Sequence, residues 1–203
     1  MTQQEGALIL AAGFSRRFGS DKRLAELPSG EPLLIATLEK YQAVFPTVAV
    51  LLRRDDQPVM QAIRDRFPRN TPLIMSTDHA EDGMGHSLAD GVRMLVEWDF
   101  LFVGLADMPY VQRSTLRTLN QAMRRARSEG RACIVRPTYD DRPGHPVGFS
   151  QEFFPALIQL QGDQGARDLL KTNQDSMRHI PVDDPGVLVD IDQPADLRQP
   201  TTP

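Results

Sequence analysis

The sequence predicts an α/β fold in which helices cover both faces of one mostly parallel sheet. Up to about residue 137, short apolar or β-branched runs alternate with segments whose apolar residues recur at helical spacing. The run Phe100–Leu105 is apolar almost throughout, which is typical of a central strand buried on both faces. Beyond residue 137 the segments become shorter and less regular. We therefore expect a three-layer α/β/α domain with a small insertion that adds one or two antiparallel strands.

Composition indicates one globular domain spanning residues 1–203. Apolar residues make up 40% and charged residues 25% of the chain, and the formal net charge is -4. That charge gives no general attraction to nucleic acid or to an anionic membrane. The N-terminal apolar run is too short for a signal peptide or a membrane span, so we expect a cytoplasmic protein. Cys133 is the only cysteine, which excludes an internal disulfide, and we expect it to be a core thiol.

The first part of the chain, about 6–137, supplies most of the predicted sheet. The predicted strands are 7–12, 47–52, 72–75, 100–105 and 132–136. The first predicted helix begins at Pro32. The others cover 59–67, 87–96 and 114–129, and the last of them has Ser114 as its N-cap and Gly130 as its stop.

The second part, about 138–198, is less regular. We expect a turn at 139–144, a short strand at 146–149, helices at 153–160 and 166–171 around a tight loop at 162–165, and strands at 177–182 and 187–191. Ligands of such sheets bind beyond the carboxyl ends of the strands. Gly13, the 76–85 loop and Asp107 all follow predicted strands at that edge.

The loop after the first strand has the chemistry of a polyphosphate site. The segment Leu10 to Lys22, called here the 10–22 loop, reads LAAGFSRRFGSDK and combines glycines with several cations. Glycines allow backbone N–H groups to approach phosphate oxygens, and Arg16 and Lys22 could neutralise their charge. The alternative is an ordinary turn with solvated basic residues. The loop matches neither GxGxxG nor GxxxxGK[ST].

This loop resembles the LAAG-x-S-x-R-[MF]-G-x-x-K signature of nucleotidyltransferases with a GT-A-type, Rossmann-like fold, and is most similar to the molybdenum cofactor cytidylyltransferase branch. The resemblance implies that the loop binds the nucleotide and that Arg16 and Lys22 are catalytic. Where guanylyl-transferring relatives carry LAGG, this chain has Ala11–Ala12–Gly13, which favours CTP. The implied nucleotide-binding residues are Leu10, Ala11, Ala12, Gly13, Arg16, Lys22, Gly83 and Ser87.

Two acidic segments resemble the metal-binding motifs of the same family. Asp107 lies in LADMP, and alone it could equally be a helix cap or a turn former. Asp190 and Asp192 lie in VDIDQPADL, where a spacing of two places both on one face of a predicted strand. The resemblance implies that Asp107 and Asp192 hold Mg²⁺, with Asp190 as the partner of Asp192.

The acceptor side of the family resemblance lies in the second part of the chain. GHP and GDQGAR are similar to segments that border the pterin side of the cleft, which implies that His145, Pro146, Gly165 and Arg167 bind the acceptor. Two residues depart from the family pattern. His86 stands where serine is common, so no family role transfers to it, and Gly148 replaces a bulky apolar residue, which predicts a larger acceptor pocket.

The resemblance implies a Mg²⁺-dependent enzyme that transfers CMP from CTP to the terminal phosphate of molybdenum-loaded molybdopterin. The acceptor phosphate would attack directly, without a covalent enzyme intermediate. Two alternatives within this class are another phosphate acceptor and GTP as donor. A third alternative is a non-catalytic carrier or chaperone of the cofactor. A molybdoenzyme or chaperone is the expected partner that receives the product.

Overall fold

The computed structural model describes residues 4–198, which form one eight-stranded sheet with helices on both faces. The strands are β1 (Glu5–Leu10), β2 (Thr47–Arg53), β3 (Leu73–Thr77), β4 (Phe100–Leu105), β5 (Ile134–Tyr139), β6 (Arg142–Pro143), β7 (Val147–Ser150) and β8 (Met177–Pro181). The α-helices are α1 (Leu33–Gln42), α2 (Gln57–Arg66), α3 (Met84–Arg93), α4 (Arg113–Ser128), α5 (Phe154–Leu157) and α6 (Arg167–Thr172). In the part of the chain that the structure describes, every helix is too short or too polar to cross a membrane.

The sheet is mostly parallel, as predicted. Its order is β3-β2-β1-β4-β7-β5-β6, and β8 pairs with β5. The pairs β1–β2, β1–β4, β2–β3 and β5–β8 are parallel, whereas β7 runs antiparallel to both β4 and β5. The expected antiparallel strand is therefore β7, which joins the two parts of the chain in one continuous sheet.

Alternating side chains divide the core into two layers, one on each face of the sheet. Ala7 and Ile9 of β1 pack with Tyr41 and the other apolar residues of the α1 and α4 side. Leu8 packs on the opposite face with Leu88 and the other apolar residues of the α3 and α5 side. This division follows from the two-residue period of a strand, which points successive side chains to opposite faces.

The start of α4 corrects one prediction. The residue at the N-cap is Gln112 rather than Ser114, and its own side chain makes no capping hydrogen bond. Instead, the buried carboxylate of Asp184 accepts from the backbone N–H of Gln112 at 2.8 Å and from the hydroxyl of Thr115 at 2.7 Å. A distant segment thus satisfies donors that a local residue was expected to satisfy.

The predicted strand at 187–191 is wrong. Asp184 also accepts from the backbone N–H of Gly186, which lies in a 3₁₀ helix, Pro185–Leu188. The chain then runs to Ile191, whose N–H donates to the carbonyl oxygen of Asp107 at 2.9 Å. The segment is therefore docked beside the end of β4 by single contacts rather than paired as a strand. In addition, α3 begins at Met84, three residues earlier than the predicted 87.

Candidate active site

Two adjoining cavities open at the carboxyl ends of the central strands. The first, of about 370 Å³, is bordered by the 10–22 loop, the start of α3 and the residues that follow β4. The second, of about 550 Å³, lies over β7 and is bordered by the 164–171 segment and by β8. Leu10, Met84 and Leu105 line both cavities and therefore form the wall between them.

The 10–22 loop is anchored at its start and in its middle. At its start, the backbone N–H of Ala11 donates to the carbonyl oxygen of Leu51 at 2.9 Å. In its middle, the Phe18 side chain is buried in a small cluster with Leu33 and Ile191. The anchors leave the segment between them facing the first cavity. Every predicted nucleotide-binding residue lines this cavity: Leu10, Ala11, Ala12, Gly13, Arg16, Lys22, Gly83 and Ser87.

The ammonium group of Lys22 lies at the centre of an acidic cluster. It donates to Asp107 Oδ2 at 2.7 Å, to the carbonyl oxygen of Ile191 at 2.9 Å and to Asp192 Oδ1 at 3.2 Å. Burial by itself would lower the pKa of Lys22, but the carboxylates of Asp107 and Asp192 outweigh burial and raise it. Lys22 is therefore held in its charged form.

Three carboxylates from two segments lie around this lysine. Asp107 follows β4, and Asp192 arrives on the segment that Ile191 docks against Asp107. Arg17 also contacts Asp192, with 2.7 Å between Nη1 and Oδ2. Burial, followed by the charges of Asp107 and Asp192, raises the pKa of Asp190. Asp107 and Asp192 line the first cavity, whereas Asp190 does not.

The donor set of Asp107 and Asp192 fits a divalent cation. Within residues 4–198, the Oδ1 atom of Asp107 is buried without a hydrogen-bond partner. A buried carboxylate oxygen with a free lone pair is costly unless a cation or donor completes its shell. Mg²⁺ prefers one or two carboxylates together with phosphate oxygens and water. These two residues could thus hold the metal that the family resemblance implies.

A buried arginine, Arg23, supports the loop and was missed by the sequence analysis. Arg23 donates from Nη1 to the carbonyl oxygen of Ala11 at 2.7 Å. It also pairs with Asp56, with 3.0 Å between Nη2 and Oδ1, and with Asp21 at 2.8 Å from Nε. Asp56 is far along the chain from Arg23, so no spacing rule linked them. The only sequence signal was the position of Arg23 directly after the loop.

The second cavity combines an apolar floor with a basic rim. Its apolar surface comes from Phe149, Val147, Val103, Leu88, Leu170 and Met177. Its basic or imidazole groups come from Arg136, Arg167, Lys171, His145 and His179. Of the predicted acceptor-binding residues, His145, Gly165 and Arg167 line it. Pro146, which follows His145 in a cis peptide bond, does not.

His145 is neutral at neutral pH. Burial, assisted by the positive charge of Arg136, lowers the pKa of His145 to about 4. Its Nδ1 atom is buried without a hydrogen-bond partner in the described part of the chain. His145 can therefore offer this cavity a hydrogen bond but not a positive charge.

Gly148 does not enlarge the second cavity, contrary to the prediction. In the β4–β7 ladder it lies opposite Phe102, on the other face of the sheet from Val147 and Phe149. A Cβ atom added to Gly148 would lie 2.5 Å from Cε1 of the Phe102 ring. The glycine thus makes room for a core phenylalanine and leaves the size of the cavity unchanged.

Comparisons with known proteins agree with this architecture. Residues 7–179 match the model of the MobA-like NTP transferase domain. The chain is 30% identical over 195 residues to the purine catabolism protein PucB of Bacillus subtilis, covering 92% of this chain and 91% of PucB. It is 29% identical to a protein of Synechococcus elongatus named a probable molybdenum cofactor guanylyltransferase, covering 94% of each chain.

Two solved structures share the fold of this chain. The crystal structure of Rv0371c from Mycobacterium tuberculosis superposes with a TM-score of 0.80 at 26% identity, covering 98% of this chain and 97% of that one. A structure of Rv0371c in complex with manganese superposes with a TM-score of 0.75 at 25% identity, covering 97% of both chains. The fold, the arrangement of the 10–22 loop and the family match together lead to one conclusion: this chain belongs to the MobA-like NTP transferase family.

Proposed function

We propose that this protein transfers CMP from CTP to the terminal phosphate of molybdenum-loaded molybdopterin and releases pyrophosphate. The observation that carries the proposal is the pair of adjoining cavities, with the Lys22–Asp107–Asp192 cluster in the first and a basic rim around the second. The molybdenum cofactor relative supports the choice of acceptor. The product would pass to a molybdoenzyme or to a chaperone.

The reaction requires positioning and charge neutralisation more than proton transfer. An oxygen of the acceptor phosphate attacks the α-phosphorus of CTP, and the bond from that phosphorus to the bridging oxygen of the β-phosphate breaks. The electron pair leaves with pyrophosphate. A phosphate acceptor is already ionised at neutral pH, so the site needs no strong general base.

Residues of the first cavity match these needs. Arg16 and Lys22 would contact phosphate oxygens and stabilise the charge that develops on the leaving pyrophosphate. Asp107 and Asp192 would hold Mg²⁺, which neutralises charge on the triphosphate, and Asp190 lies near them. The manganese complex of Rv0371c supports a divalent cation in this family. Arg23 would keep the loop in place through the carbonyl of Ala11.

Residues of the second cavity suit a flat heterocycle that carries a phosphate. The apolar side chains around Phe149 offer surface to a ring system, and Arg136, Arg167 and Lys171 offer charge to the phosphate. Neutral His145 would add a hydrogen bond.

GTP is the alternative donor, and one observation favours it. The Synechococcus relative is named a guanylyltransferase. The Ala11–Ala12–Gly13 sequence, in place of LAGG, favours CTP instead. Another acceptor is an alternative to molybdopterin, because the PucB relative is named for purine catabolism. A pure carrier would have no need for Lys22, Asp107 and Asp192 together, so we propose an enzyme.

The test is pyrophosphate release by purified protein with Mg²⁺ and molybdenum-loaded molybdopterin, offering CTP, GTP, ATP and UTP in parallel. We expect release with CTP and little with the other three. Release with GTP alone would show that the donor is GTP rather than CTP. Absence of release with all four, while CTP still raises the melting temperature, would reject this acceptor or favour a carrier.

A further inference from the structure

The first turn of α3 holds one residue of a distant loop by both of its backbone groups. The N–H of Gly85 donates to the carbonyl oxygen of Gly162 at 2.7 Å. The N–H of Gly162 donates to Nδ1 of His86 at 3.0 Å. Two consecutive residues, Gly85 and His86, thus hold Gly162, which lies 76 positions along the chain from His86. This pair of hydrogen bonds is called here the grip.

The grip depends on close backbone packing. A Cβ atom on Gly85 would lie 2.6 Å from the carbonyl oxygen of Gln161, so only glycine allows the helix start to approach the 161–163 turn this closely. The imidazole of His86, the next residue, bridges this interface by a hydrogen bond.

The two segments that meet at this contact border both cavities, and Asp163, directly after Gly162, lines the first. Gly83 and Ser87, on either side of the grip, line the first cavity. Gly165 and Arg167, a few residues beyond Gly162, line the second. Met84, next to Gly85, lines both. The grip therefore joins the wall that the two cavities share.

The hydrogen bond requires one form of the imidazole. The Nδ1 atom of His86 lies 2.9 Å from the carbonyl oxygen of Asp82 as well as 3.0 Å from the nitrogen of Gly162. A neutral ring with its hydrogen on Nε2 accepts from Gly162, whereas a hydrogen on Nδ1 would turn that atom into a donor towards Asp82. Only the first form satisfies the N–H of Gly162.

We propose that His86 is a positioning residue that holds the 161–167 segment in register with the start of α3, so that filling the first cavity orders the second. The proposal rests on the proposed function for the identity of the two ligands. The hydrogen bond itself is independent of that function. His86 touches neither reacting group in this proposal and acts through Gly162.

The test compares His86→Ala and His86→Asn with a matched control, His79→Asn. An asparagine side chain can present an oxygen acceptor near the position of Nδ1, so His86→Asn should restore what His86→Ala loses. His79 is a neighbouring imidazole, with 6.2 Å between the ring centroids, and it pairs with Asp90 instead. Its replacement should leave the 161–167 segment unchanged.

Hydrogen–deuterium exchange of 159–167 is the first measurement. We expect exchange at Gly162 to become about fivefold to tenfold faster in His86→Ala, which corresponds to one lost hydrogen bond. CTP should slow exchange across 161–167 in the unaltered protein but not in His86→Ala. Equal exchange in the unaltered protein and in His86→Ala would overturn the proposal, whether or not the protein turns over CTP.

Steady-state kinetics are the second measurement. His86→Ala should raise KM for the molybdopterin acceptor about fivefold to tenfold and leave KM for CTP within about twofold, with partial recovery in His86→Asn. Faster exchange with an unchanged acceptor KM would show a purely structural contact and overturn the positioning role. A lack of turnover by the unaltered protein would count against the proposed function, while the exchange experiment would still decide the grip.

Discussion

Lys22 and Asp107, 85 positions apart in the chain, form an ion pair with 2.7 Å between Nζ and Oδ2. The same ammonium group also contacts Asp192. A single positive charge is thus shared by the two carboxylates that we propose as metal ligands. Since a bound cation and the ammonium would both be attracted to these oxygens, the pair leads to predictions about metal binding as well as turnover.

Replacing Lys22 by methionine should tighten metal binding while it slows the reaction. Without the ammonium, Asp107 and Asp192 lose a competing positive charge, so Mn²⁺ affinity in the absence of nucleotide should rise about tenfold. Turnover should fall about a hundredfold because a contact to the developing phosphate charge is lost. Mn²⁺ binding by electron paramagnetic resonance and pyrophosphate release measure the two effects. Lys171→Met, an exposed lysine of α6, is the control for metal affinity. Unchanged Mn²⁺ affinity in Lys22→Met would contradict this account of the cluster.

Replacing Asp107 by asparagine should abolish metal binding and lower turnover by at least about a hundredfold, because the buried carboxylate oxygen becomes an uncharged amide group. The fold should persist, since Lys22 keeps its contacts to Asp192 and to the carbonyl of Ile191. Asp65→Asn, at an exposed residue of α2, serves as the matched control. A folded Asp107→Asn protein with normal activity would eliminate the metal assignment.

His145 should make the fold less stable as the pH falls. Burial lowers its pKa to about 4 in the folded protein, below the ordinary value of 6.5, so the unfolded chain binds a proton first as the medium is acidified. The stabilisation is complete above pH 6.5 and is lost progressively towards pH 4. Between pH 7.5 and 5 this group should remove about 2 kcal/mol from the free energy of unfolding.

Urea unfolding at both pH values, in the unaltered protein and in His145→Gln, isolates this contribution. Other groups titrate equally in the two proteins, so the difference between their pH dependences belongs to His145. Identical pH dependences would mean that the imidazole is not buried in its neutral form.

Replacing Gly148 by alanine should destabilise the protein by about 1–3 kcal/mol, because its methyl group would collide with the Phe102 ring. Thermal or chemical unfolding measures the loss. Combining it with Phe102→Leu should recover part of that loss in a double-mutant cycle, since the shorter side chain vacates the space. If the Gly148→Ala variant is as stable as the unaltered protein, the Phe102 ring does not pack against Gly148 as described here.

Much of the architecture was determined by local sequence patterns. Apolar runs such as Phe100–Leu105 predicted central strands because burial on both faces demands apolar residues throughout, and the mostly parallel α/β sheet is confirmed. The 10–22 loop identified the family because its signature is carried by consecutive residues, and the family match confirms that part. The donor base and the acceptor stay predictions.

Tertiary structure alone decided which distant groups meet. The cap of α4 comes from Asp184, the loop support pairs Arg23 with Asp56, and Gly148 faces Phe102 rather than a cavity. A predicted strand at 187–191 was expected to place Asp190 and Asp192 on one face, yet the chain there is held by single contacts from Asp184 and Ile191. Such contacts depend on how the chain is brought together across the sheet, and a local pattern reports only the period of its own segment. For the same reason the sequence predicted no role for His86, because its contact with Gly162 exists only in the folded chain.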